Sequence, residues 1–166
     1  MLVTGMALPS RFDPLTWHIH EMLFGFVMAA IAGFLLTAIP NWTKRLPVSG
    51  VPLEILVALW LVGRVACFFS LLMPVWLGIA ADLAFPLVLI AVATREIVAG
   101  RNWRNLVIVV PVALLVIANL LMHLEASGMA VAQGLGWRLG LGAIVALVTL
   151  IGGRIIELLP VLKTPS

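Results

Sequence analysis

Two imidazoles, a carboxylate and a thioether fall within five residues, at His18, His20, Glu21 and Met22 of the stretch Trp17-His18-Ile19-His20-Glu21-Met22-Leu23-Phe24-Gly25. Imidazole nitrogen is a borderline metal donor, and thioether sulfur is a soft one suited to copper(I). A nearby carboxylate can orient an imidazole through its second nitrogen. Glu21 stands three residues from His18, on the same face of a helix, as such a partner would. The third histidine, His123, follows Met122 and lies four residues after Asn119, so Asn119 and His123 form one polar stripe. His18, His20, Glu21, Met22 and His123 are thus the candidate metal donors. Inward-facing histidines between helices are also how membrane proteins hold haem iron. A plainer role stands beside each: an interfacial cap for histidine, a gap filler for methionine. No glycine-rich nucleotide loop, zinc-type cysteine spacing or serine nucleophile elbow occurs, so no reaction class is assigned.

The elements that must carry these donors are membrane helices. Of 166 residues, 63% are hydrophobic and only 10% charged, and the mean hydropathy is +1.21. That balance excludes an ordinary soluble domain. A hydrocarbon core of about 30 Å takes roughly twenty apolar residues per helix, and about five such runs are present, at 20–39, 53–73, 76–93, 106–124 and 138–159. Only helices satisfy their own backbone at that length in lipid, so the expected fold is all-α, one polytopic transmembrane bundle. Trp17, Trp42, Trp76, Trp103 and Trp137 fall at or just beyond the ends of these runs, as in an aromatic belt.

In the first run Gly25, Ala29 and Gly33 recur every four positions, which lets a neighbouring helix approach closely. A helix running back to Trp17 puts His18 and Met22 on that stripe, facing protein, and turns His20 with Phe24, Val27 and Ile31 away. A bend at Asp13-Pro14 or a later start changes this, and both versions stay open. The second and third runs are joined only by Met73-Pro74-Val75, which makes them antiparallel neighbours with Arg64 and Asp82 at similar depth. An intramembrane ion is costly alone, so Arg64 and Asp82 are expected to pair, as a structural bridge or as part of a site. Cys67, the single cysteine, excludes a disulfide within the chain and reads as a small buried hydrophobe. The segments 94–105 and 125–137 read as loops, and Gly152-Gly153-Arg154 as a close-packing site with an arginine near the headgroups.

The net charge of +3 comes from cations scattered singly between apolar runs, which makes them topology signals rather than a nucleic-acid surface. Lys44, Arg45, Arg95, Arg101, Arg104 and Lys163 fall on one side of the membrane, Arg11 and Arg138 on the other. By the positive-inside rule the richer side is cytoplasmic, with the amino terminus and all three histidines outside. The first residues carry no basic n-region and no cleavage pattern, so no signal peptide is expected. An outside tail without a signal points to a missing upstream helix.

The stretch 17–25, continued by Ala32-Gly33-Phe34-Leu35-Leu36-Thr37-Ala38 and Pro40-Asn41-Trp42-Thr43, resembles the NnrS family. Leu59-Trp60-Leu61-Val62-Gly63-Arg64 and Ile151-Gly152-Gly153-Arg154-Ile155-Ile156 are similar to further blocks of that family. The resemblance implies a bacterial inner-membrane protein of about a dozen helices. It also implies haem and copper, the nitric oxide response, and protection against nitrosative stress during denitrification. It makes His18 and His20, with Glu21, the metal-site motif, and Arg64 and Arg154 the family-typical membrane arginines, which would lie against the cofactor. The family has a hydrophobic segment before the motif and continues into the rest of its bundle after Arg154-Ile155-Ile156, where this chain reads Glu157-Leu158-Leu159-Pro160-Val161-Leu162-Lys163 and ends soon after. The chain is therefore expected to be an internal fragment that takes its lipid bilayer, and the remaining helices of a parent protein or another subunit, as partners. Two other functions remain open: part of a small-molecule or metal transporter with Arg64 and Asp82 on the path, and an inert remnant.

Overall fold

A computed structural model describes the backbone of residues 9–158 and the side chains of residues 9–152. Arg154 and Lys163 therefore lie outside the described side chains. Among the described residues the chain is helical and has no strand, and five helices are long and apolar enough to cross a membrane. They are α1 (Pro14–Thr43), α2 (Val51–Phe68), α3 (Val75–Ala99), α4 (Trp103–Ala126) and α5 (Leu135–Leu158).

The first helix starts earlier than its hydropathy suggests because its cap is polar. The Asp13 carboxylate accepts from the backbone N–H groups of Leu15 and Thr16 at 3.0 and 3.1 Å, and Pro14 takes the first turn, where no N–H is needed. Hydrogen bonding from Thr16 holds the Asp13 carboxyl below its usual range. Glu21–Val27 is a π-helical segment inside α1, a widening of the turn that often accompanies function. The second run stops at Phe68 and passes through a 3-10 turn at Ser70–Leu72, and α3 begins directly after Pro74. The expected loop at 94–105 is shorter. α3 continues to Ala99 and α4 opens with a 3-10 turn from Trp103, since charged side chains near a helix end reach the interface without ending the helix.

The packed face of α1 is the one carrying His20, Phe24, Met28, Ile31 and Leu35, while His18 and Met22 face outward. This reverses the expectation drawn from the small-residue stripe. The close approach is provided by glycines on the partner: a Cβ on Gly140 of α5 would meet the Phe24 ring at 2.9 Å, and one on Gly136 would meet Met122 at 2.5 Å and the Ala118 carbonyl at 2.8 Å. Bulk on α1 and α4 thus fills space that α5 leaves free. The α1 stripe itself is close-packed only at Gly25. Beyond it, Ala29 and Gly33 line an open apolar groove of about 320 Å³ toward Leu56, Trp60 and Phe85.

Candidate metal centre

Four helices bring polar groups to one buried point near the end of the bundle where α1 begins. Asp82 of α3 sits at its centre, 1% exposed. Its Oδ1 accepts from Arg64 Nη2 of α2. Its Oδ2 accepts from Asn119 Nδ2 at 2.8 Å and from His123 Nε2 at 2.9 Å, both of α4, and stands 3.3 Å from His20 Nε2 of α1. Arg64 Nη1 donates to Glu21 Oε1 at 2.8 Å, so one guanidinium bridges two carboxylates on different helices. A buried charge is tolerated only when paired and hydrogen-bonded, and here the partners of Asp82 come from three other helices, Arg64 from α2, Asn119 and His123 from α4 and His20 from α1.

Small residues make this convergence possible. A Cβ on Gly63 would stand 3.1 Å from Asp82 Oδ1, and one on Gly25 would stand 2.8 Å from Arg64 Nη1. One turn before Arg64, Trp60 Nε1 donates to the Gly25 carbonyl at 3.0 Å, so two side chains of α2 pin α1 at the π segment. The hydrogen-bond roles follow from the acceptors. A carboxylate only accepts, so His123 Nε2 carries its proton; Asn119 gives its amide to Asp82, so its Oδ1 accepts from His20 Nε2 at 2.8 Å. His20 Nδ1 is then left buried without a hydrogen-bond partner, 3.5 Å from Glu21 Oε1.

A non-helical strap closes the site from the end. Ser10 Oγ donates to the Cys67 carbonyl at 3.1 Å, Arg11 N–H donates to Ser70 Oγ at 2.9 Å, and an Arg11 guanidinium N–H donates to the Met73 carbonyl at 2.9 Å. These bonds seat Phe12 over both imidazoles, its ring stacked on His20 at 4.7 Å and tilted against His123 at 5.2 Å.

The structure separates the candidate donors read from sequence. His20 and His123 meet, with ring centroids 5.1 Å apart. Glu21 reaches the site through Arg64. His18 is exposed on the far side of α1, and Met22 is 44% exposed there too. Met122 is buried in the apolar core, and Arg154 lies outside the described side chains. Arg64 and Asp82 touch. Two participants went unassigned as donors. Cys67, taken for a small hydrophobe, is fully buried beside Asp82, and Asn119 links the two histidines through that carboxylate.

One donor atom from each of His20, Cys67, Asp82 and His123 lies within 4.8 Å of the others. The 2.9 and 3.3 Å separations from Asp82 Oδ2 to the two Nε2 atoms approach the edge of a coordination tetrahedron, about 3.4 Å for bonds of 2.0–2.1 Å. Thiolate, imidazole and carboxylate together suit zinc or copper. With Cys67 as thiolate, the charges of Cys67, Asp82, Glu21 and Arg64 leave an excess of anions that a divalent ion brings to neutrality. The donors therefore fit a small ion. They do not fit a haem held between His20 and His123, because the two rings meet in a T with centroids 5.1 Å apart and their Nε2 atoms stand 3.3 and 2.9 Å from the same Asp82 Oδ2, with no gap for a macrocycle.

A five-span helical bundle enclosing such a cluster is a polytopic membrane protein with a candidate metal centre. A family model described as NnrS protein matches residues 1–159, and the chain belongs to that family. No curated protein and no solved structure matches it.

Proposed function

We propose that this chain is a metal-holding membrane unit acting in the nitric oxide response, with one copper- or zinc-like ion held by His20, Cys67, Asp82 and His123. Membership of the NnrS family supports the physiological setting. The observation that carries the reading is the burial of four ligating groups from four helices at one point, with donor atoms within 4.8 Å. A bound copper ion would supply a site where nitric oxide or an oxidant can coordinate. The protein's own part would be to exclude water with Phe12, to fix Asp82 through Arg64 and Asn119, and to offer the His20 and His123 Nε2 atoms as neutral donors, their protons moving to Nδ1 while the Cys67 thiol gives its proton up to solvent. His18, the exposed histidine of the family motif, is proposed as the ligand of a haem outside the bundle. The membrane is proposed to be a bacterial inner membrane, with the cluster toward the periplasm.

The test is metal binding by the purified full chain. Wild-type protein reconstituted with copper, zinc or cobalt should retain about one ion per chain. Cobalt should give a thiolate charge-transfer band that disappears in Cys67→Ser, and His123→Ala should lose the ion. A wild-type chain that retains no ion, or a cobalt spectrum unchanged by Cys67→Ser, would sink the assignment. Transport along Arg64 and Asp82 has less support: α3 runs unbroken through Pro86, and the Asp82 carboxylate is enclosed by its partners.

A further inference from the structure

At the opposite end of the bundle the turn between α1 and α2 folds back on the last turns of α3 around a cavity of about 550 Å³. Lys44, Arg45 and Arg95 line it, with Glu96 and Ser49. Arg45 Nε donates to Glu96 Oε2 at 2.7 Å and the exposed Arg95 stands 4.0 Å from Glu96 Oε1, so three cations share the one carboxylate of the lining and leave a surplus of positive charge. Lys44 caps α1 with a left-handed backbone, φ 58°, a conformation uncommon in a residue with a long side chain.

The cavity is amphipathic. Leu46, Val48 and Val92 form part of its wall, and Leu46 is 89% exposed. The lining begins at Lys44, two residues after Trp42 in the last turn of α1, a place near a span end that tryptophan favours. A free anion in water needs only the cations. A phospholipid also needs an apolar wall next to the bilayer, and both are present. Basic pockets between membrane helices are suited to acidic headgroups.

We infer that this cavity binds the phosphate-bearing headgroup of an anionic phospholipid, with Lys44 and Arg95 as its cationic contacts. The inference is independent of the metal centre. It is tested on the purified full chain in neutral detergent by native mass spectrometry, with phosphatidylglycerol, phosphatidylcholine or inorganic phosphate added separately and in competition. One phosphatidylglycerol should bind saturably per chain and resist displacement by inorganic phosphate. Its affinity should fall about fivefold in Arg95→Gln and about thirtyfold in the Lys44→Asn, Arg95→Gln double variant. Asparagine tolerates the left-handed backbone at position 44, and Arg95 is 79% exposed, so neither change removes a core contact. Arg138→Gln, at the other end of the bundle, should change nothing. Equal affinity for phosphatidylcholine, displacement by inorganic phosphate, or unchanged binding in both Arg95→Gln and the double variant would each overturn the inference.

Discussion

Asp82 is the residue on which the cluster depends, because its two oxygens receive donors from α2 and α4 and face His20 of α1. Asp82→Asn keeps the shape but turns one amide N–H toward groups that donate to the wild-type carboxylate, and leaves Glu21 as the one carboxylate partner of Arg64. Breaking a buried pair by removing one partner costs about 3–5 kcal/mol, so the variant should denature in markedly less detergent-phase denaturant and bind no metal. An unchanged midpoint would mean that the network contributes nothing. Phe12→Ala opens the strap instead. Cys67, fully buried in the wild type, should then react with a water-soluble maleimide that does not touch it otherwise. Part of this was legible in sequence: the short turn at Pro74 set Arg64 beside Asp82, and Asn119 and His123 shared a face. Cys67 was not, since a lone cysteine has no metal spacing of its own. Its one signal was position, three residues after Arg64 and so on the same side of α2.

At the scale of elements, five helices were legible because apolar length in lipid admits little else, and the tryptophans marked their ends. Which face of α1 is packed was not, because a small-residue stripe says that close approach is possible without saying which helix uses it. Here α5 supplies the small residues and α1 the bulk. Gly136→Ala should accordingly separate α4 from α5, since its Cβ meets backbone as well as Met122. Overpacking of this kind costs about 1–3 kcal/mol, and the expected loss in thermal midpoint would be accompanied by weaker metal retention, because Asn119 and His123 ride on α4. Gly142→Ala on the same helix meets nothing within 4 Å and should be neutral or stabilise by up to about 1 kcal/mol. Equal effects at both positions would contradict the packing described for α5.

Across the whole molecule the two ends have different chemistry. One end carries the buried donors under the Phe12 strap. The other carries Lys44, Arg45, Arg95, Arg101 and Arg104, in the turns joining α1 to α2 and α3 to α4 and in the helix ends that flank them. The second end is tied together by Asn102 Nδ2 donating to the Trp42 carbonyl at 2.8 Å and by Arg45 on Glu96. Positive charge near span ends resists translocation, and the orientation we propose accordingly has that end in the cytoplasm and the candidate metal centre toward the periplasm, where an ion or nitric oxide would reach it without crossing the bilayer. Two single-cysteine additions test this sidedness in intact cells. Ser49→Cys lies in the α1–α2 turn and Ala130→Cys in the α4–α5 turn, both exposed, while native Cys67 is buried and stays silent. A membrane-impermeant maleimide should label Ala130→Cys in whole cells and Ser49→Cys only after lysis. The reverse pattern would invert the proposed orientation and direct the metal centre to the cytoplasm. It would leave the ligand set intact, because the convergence of His20, Cys67, Asp82 and His123 is fixed by helix packing and not by the side from which the ion arrives.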